Sequence, residues 1–217
     1  MSPEGFLADV LSAPERLAVS LDGYTGAASP LRQLPSAAPE RVLLIGMGSS
    51  HYAALTAATH LRARGVDAVA ELASTGLPAR PRPGTLAVGI SASGSTAETV
   101  EAHSRHQGTA TTVAVTNAAG SEIEQVADVT LPLLSGEEGG GVACVSFQAT
   151  LAVLFLLCGE LTGSPAEVEL RPAVEAAAAL RAGRDAWLGR VLELLDGAHT
   201  ITAIAPSERL SSALQGR

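Results

Sequence analysis

The chain has 217 residues, of which 47% are hydrophobic and only 3% aromatic, and its formal charge at pH 7 is -8. This length allows one sizeable core with additional elements, and the acidic balance argues against a surface for nucleic acids or anionic membranes. All 14 basic residues are Arg, so the chain encodes no lysine for Schiff-base chemistry or general-base catalysis.

The cysteines and the apolar segments bear on the compartment. Cys144 and Cys158 are too few for a disulfide framework and are not spaced as metal ligands, so no metal site is expected. The first residues lack the basic and apolar regions of a signal peptide, and free thiols suit a reducing compartment. The most apolar segment, 147–161, is shorter than the ~20 residues of a membrane span. We therefore expect a cytoplasmic protein with a buried apolar helix and no membrane contact.

Hydrophobic periodicity predicts helices before the first strand. Apolar residues recur at helical spacing over 3–21, and Pro14 is predicted to begin a second helix that Ser12 caps. Residues 23–40 are rich in Gly, Pro and Ser, which predicts a loop.

Short apolar runs alternate with helical segments through the middle of the chain. The predicted strands are residues 41–46, 66–72, 85–90, 111–116 and 126–134, the last at an edge because it contains Pro132. One helix is predicted to follow the turn at 47–50 and to end near 64, and two others to cover 97–107 and 146–161. A further short helix is predicted to begin at a Ser121–Glu124 capping box. This alternation predicts an α/β fold, a doubly wound parallel five-stranded sheet with helices on both faces. Further on, 167–195 is predicted to be helical with weak points at Pro172, Gly183 and Gly189, 198–205 a strand and 206–217 a helix.

The turn after the third predicted strand carries the most specific signal for a ligand. Gly94 permits a tight strand-to-helix turn, which leaves the first amides of the following helix without intrahelical partners. Four hydroxyls surround it, from Ser91, Ser93, Ser95 and Thr96. Amides, hydroxyls and the positive end of a helix favour an anion, and a phosphate ester matches several convergent donors. The alternative is ordinary helix capping by Ser95 or Thr96.

The turn after the first predicted strand leaves two interpretations open. Gly46-Met-Gly-Ser-Ser-His51 matches the opening of a dinucleotide-binding fingerprint, with Glu71 as the ribose-binding acid of an NAD(P) site. His51, however, occupies the position of the third glycine of that fingerprint. In the other interpretation, Ser49 and Ser50 offer hydroxyls to a second part of the ligand that binds at the turn after the third predicted strand. His51 itself is either an acid–base group or a packing residue. His103 and His106 are predicted to lie on the solvated face or the last turn of their helix, and Tyr52 and Trp187 to be packing residues.

Several segments together resemble the sugar isomerase (SIS) domain family. Ser91-Ala-Ser-Gly-Ser-Thr-Ala-Glu-Thr99 is similar to its phosphate loop, Ser-Gln-Ser-Gly-Glu-Thr-Ala-Asp-Thr. Glu71-Leu-Ala-Ser74 resembles its Glu-x-Ala-Ser segment, and Gly141-Val-Ala143 resembles the Gly-Val-Ala that meets the sugar. The resemblance extends over about residues 8–160 and is nearest to the first module of the isomerase part of glucosamine-6-phosphate synthases. It implies a SIS-type, flavodoxin-like sheet in residues 36–162, helical residues 1–35, and a second, incomplete SIS-like module beginning within 163–217.

The resemblance also implies a phosphosugar site. Ser91, Ser93 and Thr96, in the loop with Gly94 and Ser95, would hold the phosphate, while Ser49, Ser50, Val142 and Ala143 would contact the sugar. The chain departs from the family pattern at Ala92, which replaces a glutamine, at Ser95, which replaces a glutamate, and at Cys144-Val-Ser146, where a lysine is missing. Because the catalytic groups of the synthases lie in a second module, the general base here is unknown, with Glu71 and Glu138 as candidates.

These observations predict a module that binds a hexose or aminosugar 6-phosphate, as part of an aldose–ketose or aminosugar-phosphate isomerase or deaminase. A non-catalytic phosphosugar sensor and an NAD(P)-binding domain remain as alternatives. No cofactor is expected. The Ala- and Leu-rich helix from Phe147 and the C-terminal segment leave apolar surface to cover, which predicts self-association, as a dimer.

Overall fold

A parallel sheet organises the computed structural model, which describes residues 2–164, 166–200, 202–209 and 214. Its strands pair in the order β2-β1-β3-β4-β5, every pair parallel. They are β1 (Arg41–Gly46), β2 (Ala68–Leu72), β3 (Thr85–Ile90), β4 (Thr111–Thr116) and β5 (Val129–Pro132). The predicted α/β fold class is therefore confirmed. β1, β3 and β4 have the predicted bounds, whereas β2 and β5 are shorter than predicted.

Helices cover both faces of the sheet. In the described residues they are α1 (Pro3–Asp22), α2 (Gly48–Ala63), α3 (Ala97–Ser104), α4 (Glu122–Gln125), α5 (Val145–Thr162), α6 (Ala166–Ala182) and α7 (Arg184–Leu195). The larger core joins one face of the sheet, including Val42, Leu44 and Val88, to α1, α2 and α5. Leu43 and Ile45 point to the other face, where Ala102 of α3 packs. This alternation follows from the two-residue repeat of a strand.

α5 is the described helix whose length and composition would allow it to cross a membrane. In the structure, 67% of that 18-residue stretch is buried. Its leucines pack on α2 and the sheet, because a parallel sheet needs apolar cover on both faces. α5 is thus the buried helix that the sequence predicts.

α1 corrects the prediction of two N-terminal helices. It continues through Pro14, and its N-cap is Ser2, whose Oγ accepts a hydrogen bond from the Gly5 amide at 3.1 Å. Ser12 does not cap a helix; its hydroxyl donates to the Asp9 carbonyl oxygen. Packing of α1 against α5 and α6 outweighs the hydrogen bond that an internal proline removes.

His103 lies in the last turn of α3, as one of the two predicted positions has it, but the solvated position predicted for His103 and His106 is wrong. Both side chains are buried on the inner side of α3 and its C-terminal turn, with exposures of 0% and 2%. His103 lies over Gly89 of β3, where a Cβ would come within 2.7 Å of its Cγ. The missing side chain at Gly89 makes the room that the imidazole fills, a contact that helical periodicity alone does not reveal.

Several further predictions need correction or fall partly outside the described residues. Ser121 makes no capping hydrogen bond, and the Glu124 carboxylate accepts from the Gly120 amide instead of from the Ser121 amide. The predicted 167–195 helix divides into α6 and α7 at Gly183, one of its predicted weak points. Trp187 on α7, predicted to be a packing residue, is 42% exposed, although its Nε1 donates to the Leu180 carbonyl oxygen. The described residues of 198–205 form no strand and pair with none of the five described strands. Of 206–217, a 3₁₀ turn at Ser207–Arg209 is described, and 210–213 and 215–217 lie outside the described residues.

Candidate functional site

The two serine turns lie side by side where the strand order of the sheet reverses. β1 and β3 are neighbours, and Gly46 pairs with Ile90 at their C-terminal ends. The turns that follow therefore meet at the same edge, and α2 and α3 leave them toward opposite faces. Open α/β sheets bind ligands in the crevice at this switch point.

Internal hydrogen bonds shape the turn after β3. Ser91 is buried, with its Oγ accepting from the Gly94 amide at 3.1 Å and donating to Thr96 Oγ1 at 3.1 Å. Gly94 has φ of 67°, and its carbonyl oxygen accepts from the Ile123 amide at 3.0 Å. The turn is thus held from below by the start of α4.

The same turn leaves its outward donors free. The first bond of α3 runs from the Val100 amide to the Thr96 carbonyl oxygen, so the amides of Thr96, Ala97, Glu98 and Thr99 have no acceptor among the described residues. Thr96 is the N-cap, yet its hydroxyl makes no capping bond, so the simple capping alternative is not what the structure contains. Ser93 and Ser95 are exposed, and their hydroxyls lie 3.4 Å apart. Together with the helix dipole, these groups can bind an anion.

The turn after β1 offers a second helix N-terminus. α2 begins at Gly48 after Met47, which makes no side-chain cap, and Ser49 and Ser50 are half-buried. Burial lowers the pKa of His51, and a backbone hydrogen bond to Glu71 opposes this only in part. This lowered pKa favours the neutral imidazole, whose Nδ1 has no partner among the described residues.

Asn117, at the end of β4, joins the turn after β3 to the loop after β5. Its amide donates to the Ala92 carbonyl oxygen at 3.0 Å, and its Nδ2 donates to the Gly136 carbonyl oxygen at 2.7 Å. Its Oδ1 in turn accepts from the Ser135 amide at 3.0 Å. The sequence indicates only a turn at Asn117, and its bridging role depends on contacts across the sheet edge.

Val142 and Ala143 are half-buried in the segment that leads into α5. The Glu138 carboxylate occupies the start of that helix. Its Oε1 accepts from the amides of Cys144 and Val145, each at 2.7 Å, and Ser146 Oγ donates to its Oε2. The N-terminus of α5 is therefore already satisfied by an acidic side chain, in contrast to that of α3.

Apart from His51, the candidates for acid–base or nucleophilic chemistry are engaged or unsuited. Glu138 holds α5, and Glu71 Oε2 accepts from the Ala79 amide at 2.7 Å. Burial and the neighbouring Glu138 raise the pKa of the Cys144 thiol to about 11, so it is not a nucleophile at pH 7. Among the described residues, no cluster of three or more His, Cys, Asp or Glu could hold a metal ion.

Comparison with known proteins identifies a matching family model and similar proteins. A family model for the SIS domain matches residues 37–158. The isomerizing glutamine–fructose-6-phosphate aminotransferase of Thermotoga maritima is 34% identical over 123 residues, which is 54% of this chain and 20% of that protein. The enzyme of the same name from Aeropyrum pernix is 32% identical over 157 residues, 70% of this chain and 25% of that protein. The chain thus spans a quarter or less of these relatives.

The fold is also similar to solved structures. The tagatose-6-phosphate ketose/aldose isomerase of Escherichia coli superposes with a TM-score of 0.76 at 15% identity, covering 97% of this chain and 61% of that chain. At this identity the comparison bears on the fold, which agrees with the observed strand order.

Proposed function

Because the chain belongs to the SIS domain family, we propose that it binds a phosphosugar, a hexose or aminosugar 6-phosphate, at the switch point between β1 and β3. The observation that carries this proposal is the set of free amides at the start of α3, beside two exposed serine hydroxyls. No lysine is needed, because the helix end and the hydroxyls supply the local field.

Each predicted site residue has a proposed role. The hydroxyls of Ser93 and Ser95 and the amides from Thr96 onward would meet the phosphate, while Ser91 and Gly94 hold the shape of the turn. Ser49 and Ser50 on the neighbouring helix would contact the sugar. Val142 and Ala143 would contact it from the loop before α5.

The state of the acidic residues favours a binding or sensing role for this chain alone. Aldose–ketose isomerisation needs a base that moves a proton between adjacent carbons, and both Glu71 and Glu138 are engaged by backbone amides. In an isomerase or aminosugar-phosphate deaminase, the base would be His51, whose Nδ1 has no partner among the described residues, or would come from a partner subunit or a longer chain. Turnover of fructose 6-phosphate by the purified chain, with and without ammonia, separates the enzyme from the sensor.

A thermal melting screen tests the binding proposal. Fructose 6-phosphate or glucosamine 6-phosphate at about 100 times its Kd should add about 2.7 kcal/mol to the free energy of unfolding, a rise in Tm of about 5–10 °C. Ser93→Ala should reduce the binding free energy by about 1–3 kcal/mol, because a phosphate oxygen loses a donor. Ser104→Ala, at the other end of α3, should bind as the parent does. A rise with NAD(P) alone would support the dinucleotide alternative and contradict the phosphosugar site.

We also propose that the protein is a cytoplasmic dimer, with a second copy of the chain covering α7. The apolar residues of this helix are 38–56% exposed at Trp187, Leu188, Val191, Leu192 and Leu195. Antiparallel pairing of two α7 helices would bring Arg184 at the start of one helix, which also pairs with Asp185 beside it, near Glu193 and Asp196 at the end of the other. Sedimentation at micromolar concentration should give a dimer for the parent and for Leu77→Glu, and a monomer for Leu192→Glu. A monomeric parent would contradict this.

A further inference from the structure

A buried acidic residue of α1 holds the loop that follows β5. Asp9 is 5% exposed, and its Oδ2 accepts a hydrogen bond from the Gly140 amide at 2.8 Å. Its Oδ1 forms a salt bridge with Nη1 of Arg16, about two turns further along α1, at 3.1 Å. The Gly140 amide lowers the pKa of Asp9, and the Gly139 amide and Arg16 act in the same direction against burial. The carboxylate is therefore ionised when it binds the loop.

Arg16 holds the same loop at two other points. Its Nε donates to the Ser135 carbonyl oxygen and its Nη2 to the Glu137 carbonyl oxygen, while Nη1 faces Asp9. All three nitrogens of the guanidinium thus contact either the loop or Asp9, which binds the same loop. The rigid fork of Arg favours this geometry. Asp9 and Arg16 together fix the loop at Ser135, Glu137 and Gly140.

The loop backbone also lies directly on the backbone of α1. A Cβ added to Gly140 would lie 2.4 Å from Phe6 Cα, and one added to Gly5 would lie 2.7 Å from the Gly139 carbonyl oxygen. Such an approach leaves no room for the loop to slide along the helix. The polar contacts therefore define one position of the loop rather than several.

This position determines where Val142 and Ala143 lie. They follow Gly140 by two and three residues, and Glu138 ties the same segment to α5. We propose that Asp9 and Arg16 are positioning residues for sugar recognition: they hold the 135–143 loop so that its Val142–Ala143 end meets the sugar portion of the ligand. This inference rests on the proposed phosphosugar site. It assigns to α1 a part in binding the sugar and none in binding the phosphate, whose donors belong to the turn after β3 and the start of α3.

Titration calorimetry with two probes separates these parts. Fructose 6-phosphate engages both the turn and the loop, whereas inorganic phosphate engages the turn alone. Asp9→Asn should weaken binding of fructose 6-phosphate about tenfold, because the loop loses a charged hydrogen bond and its fixed position. Its affinity for inorganic phosphate should stay within about twofold of the parent. Arg16→Lys keeps the charge beside Asp9 but loses the forked contacts, so it should show the same selective loss and serves if Asp9→Asn does not fold.

Glu15→Gln is the matched control, since Glu15 lies on the same helix and pairs with Arg181 away from the loop. It should bind both probes as the parent does. A general loss of folded protein lowers both affinities by the same factor, so an unchanged ratio of the two in Asp9→Asn or Arg16→Lys would overturn the positioning role. A parent chain that binds neither probe would instead overturn the proposed function.

Discussion

Replacing Gly94 with alanine is expected to lower the free energy of unfolding by about 2–5 kcal/mol and to abolish sugar phosphate binding. Gly94 has φ of 67°, which costs a non-glycine residue about 1–2 kcal/mol. A Cβ there would also lie 2.1 Å from Ser121 Oγ and 2.9 Å from Thr116 Oγ1. The turn must move to relieve these contacts, and the donors of α3 move with it. Chemical denaturation and calorimetry measure the two effects.

Gly108→Ala is the matched control for the backbone contribution. Gly108 has φ of 70°, but a Cβ there meets nothing within 4 Å. It should therefore lose only the conformational part of the stability and retain ligand affinity. In a double-mutant cycle, Ser121→Gly should restore part of the stability of Gly94→Ala, because it removes the nearest side chain. Equal destabilisation by Gly94→Ala and Gly108→Ala, with binding intact, would show that the contact with Ser121 is unimportant.

The central strands could be predicted because their signal is local. β1, β3 and β4 are continuous apolar runs bounded by turn residues, which a sheet covered on both faces requires. β2 and β5 are outer strands with partly exposed residues, and their runs of apolar residues extend past the last pairing partner. The bounds of an outer strand depend on its neighbour, which the sequence of the strand does not contain.

The turn after β3 could also be predicted from the sequence, whereas the long-range contacts that hold the site in place could not. Gly94 and the hydroxyls around it lie within six residues, so their chemistry can be inferred from the turn itself. Arg16 and Ser135, by contrast, are 119 positions apart. One signal for Asp9 was present: it shares the buried face of α1 with Ala13, Leu17 and Leu21, at intervals of four residues. An acidic residue in such a stripe indicates a buried partner, although not its identity.

His103 predicts a steep loss of stability between about pH 6.5 and pH 4. Burial lowers its pKa from 6.5 to about 4, although the Ala87 carbonyl oxygen, 3.2 Å from Nε2, opposes the shift. A histidine with a depressed pKa contributes stability above its unfolded pKa, and this contribution is lost as the pH falls toward the folded pKa, because only the unfolded chain binds the proton. At about 1.4 kcal/mol per pKa unit, the loss in the free energy of unfolding approaches about 3 kcal/mol.

His103→Gln removes this titration while its amide can still donate to the Ala87 carbonyl oxygen. At pH 7 the variant should be less stable than the parent, because glutamine fills the space over Gly89 less well than an imidazole. On lowering the pH to about 4.5 the difference should shrink by about 2–3 kcal/mol or change sign, since only the parent pays for keeping the imidazole neutral. Urea denaturation at both pH values measures it, and the carboxylates common to the two proteins cancel in the comparison. Parallel curves for parent and variant would mean that the imidazole at 103 is protonated in the folded protein, in conflict with its burial against the sheet.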